Sequence, residues 1–246
     1  MLRVVRTAVA GPDAQGQRAE WFMDYRNADG TLAEMCGNGV RVFAKYLLDE
    51  GFAAGPELAV ATRAGTRLVR AEADGQFTVD MGAAVVLGDG AAQAGDQRLA
   101  GLAISVGNPH LACMIDQPVA AVDLTDPLVL RPAELMDRAN VEVIRAVGDH
   151  EIEMRVHERG SGLTLSCGTG AVAAAVAAAV AVGEWPAGPG LPWTVYVPGG
   201  KLAVTPSGTA SLLTGPADIV AAGELSATWL AGLSAVGLRY APASSS

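Results

Sequence analysis

Alternating apolar and polar residues predict β-strands over most of this chain. In the first half the alternation covers residues 2–9, 20–25 and 58–81, with turn residues between the first two segments. In the second half it runs from Arg98 through LAISVG, LACMID, ANVEVIRA and EIEMRVHERG, and it ends in WTVYVPGGKLAVTP and ASLLTG. A repeat of two residues is typical of strands that bury one face. We therefore expect a molecule built mainly of sheet.

Two segments have helical spacing instead. Residues 37–48 carry apolar side chains three and four positions apart, and the pattern stops at Gly51. The second segment is the Ala- and Val-rich run 171–182, which is shorter than the roughly 20 residues that a membrane-spanning helix needs. Each segment follows a cysteine, so we expect two helices that begin just after Cys36 and Cys167.

The two cysteine turns indicate an internal duplication. Cys36-Gly-Asn-Gly and Cys167-Gly-Thr-Gly each follow strands and precede a helix of small and aliphatic residues. We expect an N-terminal half over residues 1–81 and a C-terminal half over residues 82–225, with a Gly- and Ala-rich linker over residues 82–95. We expect residues 226–246 to form a tail with a helix and a disordered end.

Charge and cysteine content narrow the classes of function. The 246 residues include 17 Lys and Arg against 26 Asp and Glu, a net charge of −9 that opposes binding to nucleic acid or to anionic membranes. Three cysteines without a C-x-x-C pair argue against a disulfide scaffold or a zinc site, and no signal peptide is recognisable. No phosphate, dinucleotide or zinc-protease motif is found. We expect a cytoplasmic protein without metal or cofactor.

A cysteine at the start of a helix is suited to acid–base chemistry. The unpaired N–H groups of the first turn and the helix dipole favour a thiolate, and glycines let those N–H groups approach a ligand carboxylate. Two such turns in matched halves predict a thiolate on one face of a carbon atom and a thiol on the other. One would remove a proton and the other would return one, which inverts a stereocentre.

Seven short strings carry a family resemblance that extends from about residue 21 to residue 216. They are Asn27-Ala-Asp-Gly, Met35-Cys-Gly-Asn-Gly-Val-Arg, Gly107-Asn-Pro-His, Arg138-Ala-Asn, His157-Glu-Arg-Gly, Ser166-Cys-Gly-Thr-Gly-Ala and Val197-Pro-Gly-Gly. With these strings in this order the chain resembles the diaminopimelate epimerase family, and most closely its actinobacterial branch. The resemblance implies a cofactor-independent enzyme that interconverts LL- and meso-diaminopimelate on the route to lysine and peptidoglycan. It also implies an α+β fold of two similar α/β domains, each a sheet wrapped round a central helix, with the active site in the cleft between them.

The resemblance also implies roles for individual residues. Cys36 and Cys167 become the two acid/base residues, and His110 and Glu158 lie beside the thiols and help set their protonation. The implied substrate-binding residues are Asn27, Gly37, Asn38, Asn108, Asn140, Glu158, Arg159, Gly168 and Thr169. Among them, the pairs that follow each cysteine act through backbone N–H groups. The partner is a small-molecule substrate, and a homodimer is the assembly that the family suggests.

Two features depart from the family pattern. The opening His-Gly-x-x-Asn-Asp-Phe segment is absent, so the chain is expected to start partway through the first domain. Leu163 stands where family members usually carry an acidic residue, close to Arg159. The second departure leaves Arg159 without a neighbour with which it would normally pair.

Other functions fit part of the pattern. A proline or hydroxyproline racemase also uses two cysteines at similar turns, but such enzymes usually carry His after the first Cys-Gly and Asp-Arg-Ser-Pro before the second. Asn38 and the Leu-Thr-Leu-Ser of residues 163–166 favour diaminopimelate instead. A PhzF-like isomerase would lack the cysteine pair. A non-catalytic remnant that binds a ligand or pairs with a full-length subunit is the third alternative.

Overall fold

Sheet dominates the computed structural model, which describes residues 1–27, 30–125, 129–132, 139–185 and 190–235. The strands are β1 (Leu2–Arg6), β2 (Trp21–Tyr25), β3 (Glu57–Ala61), β4 (Arg67–Ala71), β5 (Phe77–Gly82), β6 (Val85–Ala94), β7 (Gln97–Ser105), β8 (Pro109–Met114), β9 (Val129–Arg131), β10 (Asn140–Gly148), β11 (Glu151–Glu158), β12 (Gly162–Thr164), β13 (Trp193–Val197), β14 (Gly200–Thr205) and β15 (Ser211–Gly215). The helices in these ranges are α1 (Gly37–Asp49), α2 (Gly168–Ala181) and α3 (Ala227–Ala235). This composition confirms the α+β class.

One continuous path of paired strands joins the two halves of the chain. Its order is β1-β2-β3-β4-β5-β15-β14-β13-β11-β10-β8-β7-β6-β9, and β12 pairs with β11 off this path. The junction is antiparallel, with Leu213 of β15 opposite Val79 of β5. The last strand of the chain therefore completes the sheet of the first half. The expected division into domains at residues 81 and 82 stays a prediction.

Each of the first two helices packs inside its own part of the sheet. On α1 one face is buried, through Val40, Phe43, Ala44 and Leu47. On α2 every residue from 168 to 179 is buried, which explains why this helix is made of Gly, Ala, Val and Thr. Small side chains let a surrounding sheet approach a helix closely on all sides. Among the described residues, no helix is both long enough and apolar enough to cross a membrane.

Residues 82–95 are not the linker that their composition predicts. They contain the whole of β6, which pairs with β7 on one side and with β9 on the other. Gly88 adopts φ +135°, a backbone conformation that favours glycine, at a register shift in the pairing of β6 with β7. Ala92 and Ala94 are buried in the core beside Leu99. Small residues thus fill a tightly packed strand where the sequence suggested flexibility.

The N-terminal segment differs slightly from expectation, whereas the tail contains the expected helix. The first predicted strand stops at Arg6, and residues 7–9 form a short 3-10 turn. The helix expected in the tail is present as α3. The predicted disordered end lies outside the described residues.

The first half is held together at a buried carboxylate, Asp24 on β2, which is 3% exposed. Its oxygens accept hydrogen bonds from Arg63 at 2.5 Å and from Arg3 at 2.8 Å, and Arg26 lies 3.4 Å away. Burial opposes ionisation of Asp24, but the hydrogen bond from Arg63 and the charges of Arg26 and Arg3 hold its pKa below the ordinary value. Arg63 also donates to the backbone oxygen of Tyr25, so this cluster fixes the end of β2.

We expect Asp24→Asn to lower the free energy of unfolding by about 3 kcal/mol at pH 7, because the largely buried Arg63 loses one of its two carboxylate partners and keeps only Asp13. A depressed folded-state pKa stabilises the protein above the unfolded-state pKa of about 4, and that contribution is lost as the pH falls through the folded value. Urea unfolding should show a larger difference between wild type and variant at pH 7 than at pH 3. An equal difference at both pH values would contradict this account.

Candidate active site

Each predicted catalytic cysteine is the N-cap of a helix. Cys36 precedes α1 with φ −142°, and its Sγ accepts a hydrogen bond from the N–H of Gly39 at 3.4 Å. Cys167 precedes α2 with φ −125°, and its Sγ accepts from the N–H of Gly170, also at 3.4 Å. The same three-residue cap therefore occurs in both halves.

The starts of the two helices touch each other. A Cβ atom built on Gly168 would lie 3.0 Å from the Cα atom of Gly37 and 3.1 Å from a methyl group of Leu213. The side chain of Asn38 crosses the junction and donates to the backbone oxygen of Ser166 at 3.3 Å. Glycine at 168 permits this approach, because a Cβ atom there would meet the backbone of Gly37, so the two cysteine turns meet at one site.

Polar groups from α2 and β10 surround Cys167. Its Sγ lies 3.5 Å from Oγ1 of Thr169 and 3.8 Å from Nδ2 of Asn140. Asn140 is fixed in turn, because its Oδ1 accepts from the backbone N–H of Arg159 at 2.9 Å. The exposed Arg159 side chain forms no ion pair with any described residue. Three residues that the sequence predicted for substrate binding thus collect beside one thiol.

A buried histidine and carboxylate lie behind Cys167. His110 and Glu142 are both fully buried, and Nδ1 of His110 is 2.7 Å from Oε1 of Glu142. The other ring nitrogen of His110 lies 3.1 Å from Oδ1 of Asn108. Because an amide oxygen only accepts, Nε2 of His110 donates to Asn108, while Nδ1 faces the carboxylate of Glu142.

Glu142 also contacts the helix cap directly. A Cβ atom on Gly170 would come within 2.6 Å of Oε1 of Glu142. Asn140 and Glu142 are two residues apart on β10, so both point from one face of that strand toward the start of α2. The alternation along β10 was the signal that could have identified Glu142, which the sequence analysis missed.

Glu158 acts electrostatically on both thiols. Its Oε1 accepts a hydrogen bond from Thr164 at 2.5 Å. The charge of Glu158 acts on Cys36 and on Cys167, and it raises the pKa of each. This agrees with the expectation that Glu158 lies near both thiols.

Burial changes the expected ionisation of the cysteines. The helix N-termini were expected to favour thiolates, and the N–H groups of the caps do lower the pKa of both thiols. Burial outweighs them, however, and with the charge of Glu158 it raises the pKa of Cys36 and of Cys167 above the ordinary value. A thiolate at this junction therefore requires a compensating positive charge.

Tyr25 is a second residue that the sequence analysis missed. It ends β2, and its hydroxyl group lies close to Cys36. Burial raises the pKa of Tyr25 to about 12, together with the negative charges of Cys36, Glu158 and Cys167. Tyr25 therefore remains a hydrogen-bond donor at neutral pH. Its position two residues before Asn27 was the available signal.

Asn27 lies in the loop that follows β2. Its backbone N–H donates to the oxygen of Thr31 at 2.9 Å, and its side chain donates to Oγ1 of the same residue at 3.0 Å. These bonds agree with a turn-forming role, which is compatible with contact to a ligand. Residues 28 and 29 of the same motif lie outside the described residues.

The remaining sequence features have simple structural explanations. Cys113 is fully buried, and burial together with the charge of Glu142 raises its pKa to about 12, in keeping with an inert thiol. Leu163 is 41% exposed and pairs with His157 across the β11–β12 ladder. Among the described residues, no three His, Cys, Asp or Glu side chains lie close enough together to hold a metal ion.

Solved structures with a similar fold include a racemase, an epimerase and a phenazine biosynthesis protein. A probable proline racemase from Agrobacterium radiobacter has a TM-score of 0.63 at 16% identity, covering 92% of this chain and 75% of that one. A hydroxyproline epimerase from Agrobacterium vitis has a TM-score of 0.60 at 16% identity, covering 81% and 69%. A PhzF-family phenazine biosynthesis protein from Bacillus anthracis has a TM-score of 0.54 at 12% identity, covering 82% and 79%. At these identities the likeness establishes the fold alone.

Sequence comparison is more specific. The diaminopimelate epimerase family model matches residues 7–87 and 102–220. The diaminopimelate epimerase of Thermobifida fusca is 53% identical over 230 residues, which cover 92% of this chain and 82% of that protein. The one from Mycobacterium tuberculosis is 50% identical over 218 residues, covering 85% and 74%. These matches confirm the resemblance that the seven strings indicated, and the chain belongs to the diaminopimelate epimerase family.

Proposed function

We propose that this chain interconverts LL- and meso-diaminopimelate through proton transfer by Cys36 and Cys167. The observation that carries the proposal is the meeting of two cysteine N-caps at the contact between Gly37 and Gly168. A carbon atom held at this junction would have one sulfur on each face. The relatives that share about half of the sequence carry the name of this activity.

The reaction needs no group from outside the chain and the substrate. One thiolate takes the proton from the α-carbon, and the electron pair of the broken C–H bond moves toward the adjacent carboxylate. The opposite thiol gives its proton to the other face of the same carbon. The first sulfur ends as a thiol and the second as a thiolate, so the reverse reaction begins from the product state.

The first backbone N–H groups of both helices are suited to the negative charge that develops on the substrate carboxylate. N–H groups of Gly37, Asn38, Gly168 and Thr169 lie in the first turns of α1 and α2, where they lack partners within the helix. Such groups bind a carboxylate and stabilise it further as its charge increases in the transition state. We assign the α-carboxylate of the substrate to this position.

Side chains around the junction supply the remaining contacts. Glu158 is the carboxylate whose charge reaches both thiols, and it suits the α-ammonium group of the substrate. Asn140 and Asn108 carry amides next to Cys167 and His110. The exposed guanidinium of Arg159 suits the distant carboxylate, and Asn27 completes the predicted set of binding residues. His110 acts by holding Asn108 and Glu142.

Purified protein tests the proposal when it is incubated separately with LL-diaminopimelate and with L-proline, and the stereoisomers are separated by chromatography. We expect conversion of LL- to meso-diaminopimelate and no racemisation of proline. Racemisation of proline would favour the racemase alternative. A folded protein that converts neither substrate would contradict the proposal and favour the non-catalytic remnant. A cytoplasmic location and a homodimer stay predictions.

We expect Tyr25→Phe to lower kcat about tenfold. The variant removes the hydroxyl group beside Cys36 that is placed to donate a hydrogen bond to the thiolate, and hydrogen bonds to charged partners contribute about 1.5–3 kcal/mol. Loss of this donor raises the pKa of Cys36, so the acidic limb of the variant's pH profile, which reports formation of the Cys36 thiolate, should move to higher pH. Steady-state rates between pH 6 and pH 10 measure both effects. An unchanged pH profile would show that Tyr25 does not act on the thiol.

A further inference from the structure

Arg41 is a buried cation on the inner face of α1. Among the described residues it is the one arginine that is buried, and only 6% of the residue is exposed. The guanidinium turns back along the helix, where Nη1 donates to the oxygen of Gly37 at 3.4 Å and Nε donates to the oxygen of Pro216 at 3.1 Å. Both acceptors are uncharged.

No carboxylate neutralises Arg41 in the described part of the chain, where it forms no ion pair. Space for it is provided by Gly215, since a Cβ atom there would lie 3.4 Å from Cζ of Arg41. Asp218 and Lys201 line the same cavity of about 220 Å³ as Arg41. The carboxylate of Asp218 forms no ion pair with Arg41. Buried charges are costly unless they are paired, so an unneutralised arginine at this depth requires a functional explanation.

The corresponding position in the other half is apolar. Arg41 stands five residues after Cys36, whereas Val172 stands five residues after Cys167 and is fully buried. The carboxylates are also distributed unequally, because Glu142 lies beside Cys167 and Glu158 reaches both thiols. The two cysteines therefore share a cap geometry but have different electrostatic surroundings.

We propose that Arg41 is a positioning residue that acts through Cys36, as the counter-charge that allows this partly buried sulfur to exist as a thiolate. The inference rests on the proposed two-cysteine mechanism and adds an asymmetry to it. Cys36 is the sulfur whose thiolate form has a cation beside it, and Cys167 is the one that holds its proton more tightly. Val172 cannot provide the same compensation to Cys167.

Charged and titratable groups from several elements face Cys36. Arg41 comes from α1 and lowers the pKa of Cys36, whereas Glu158 comes from β11 and raises it. Tyr25 comes from β2, and its hydroxyl group lies close to the sulfur. Cys167 lies across the helix junction. Only Arg41 contributes a positive charge among these four groups.

Three substitutions separate the charge of Arg41 from its hydrogen bonds. Arg41→Lys keeps the charge, Arg41→Gln keeps hydrogen-bond donors without charge, and Arg41→Met keeps only the length of the chain. Each full-length variant is treated with iodoacetamide from pH 6 to pH 10, and mass spectrometry of the peptides measures alkylation of Cys36 and Cys167 separately. Thermal unfolding is recorded for each variant. The alkylation assay needs no turnover, so its result is independent of whether the protein epimerises diaminopimelate.

We expect Arg41→Gln and Arg41→Met to slow alkylation of Cys36 at pH 7 at least tenfold and to shift its pH profile upward by one unit or more. Arg41→Lys should stay within threefold of wild type, and alkylation of Cys167 should not fall in any variant. Lys201→Met removes a cation that lines the same cavity and should leave the Cys36 profile unchanged.

Three results would overturn the proposal. The first is an unchanged Cys36 profile in the two uncharged variants. The second is a wild-type profile in Arg41→Gln with a shifted profile in Arg41→Lys, which would assign the effect to hydrogen bonding. The third is failure of Arg41→Gln to fold while Arg41→Lys folds, because a residue kept for chemistry should be replaceable without loss of the fold.

Discussion

Replacing either Cys36 or Cys167 with alanine should reduce epimerisation of diaminopimelate by about 10³-fold or more. One positioned acid or base contributes about 10²–10⁴-fold to a rate, and the proposed reaction needs both groups in every turnover. The loss should be in kcat, because the backbone N–H groups that receive the carboxylate remain in place. Steady-state conversion of LL- to meso-diaminopimelate measures it.

Cys113 offers a matched control for these variants. It is a third free cysteine, fully buried on β8, and its Sγ contacts only the backbone oxygen of Leu99 at 3.9 Å among the hydrogen-bond acceptors described. Cys113→Ala should lose stability, by about 1 kcal/mol, and retain activity. If Cys113→Ala abolished turnover while Cys36→Ala or Cys167→Ala kept it, the assignment of the two acid/base residues would be wrong.

The second large effect is expected for Gly170→Ala. The new Cβ atom would lie 2.6 Å from Oε1 of Glu142, and this fully buried carboxylate has no solvent into which it can move. We expect unfolding to be easier by about 1–3 kcal/mol, as for other overpacked sites. Displacement of Glu142 also disturbs His110 and the cap of Cys167, so kcat should fall by about 10²-fold.

The duplicated cap supplies the control for this prediction as well. Gly39 occupies the same place after Cys36 and makes the same N–H bond to sulfur. A Cβ atom on Gly39 would meet only Cβ of Cys36 at 3.3 Å and the flexible end of Leu2 at 3.4 Å. Alanine favours helix over glycine by about 1 kcal/mol, so Gly39→Ala should be neutral or stabilising. Equal effects of the two substitutions on melting temperature and kcat would contradict the role given to Glu142.

Much of the site could be predicted because its signals are local. The two cysteine turns fix their own N-cap geometry, and both helices begin where the sequence indicated. The contact between Gly37 and Gly168 could not be derived in the same way, because it depends on how the 130 residues between them fold. Only the match of the two turns suggested that they meet.

The features that the sequence analysis missed depend on tertiary packing. Glu142 looks like an ordinary polar residue on a strand until β10 and β8 bring it beside His110. The glycines and alanines of β6 resemble a linker because composition does not reveal that two neighbouring strands pair with them. The pKa of each thiol was misjudged for the same reason, since burial of the helix N-termini is a property of the folded molecule.

The fate of the α-proton tests the two-base mechanism most directly. LL-diaminopimelate is incubated with the enzyme in D₂O, and substrate and product are separated at early times for mass analysis. We expect the meso product to carry deuterium at the inverted carbon in every molecule, while recovered LL substrate stays unlabelled, because the incoming proton comes from the opposite thiol. Product that retains its original hydrogen, or substrate that gains deuterium before it inverts, would indicate a single base and contradict the account.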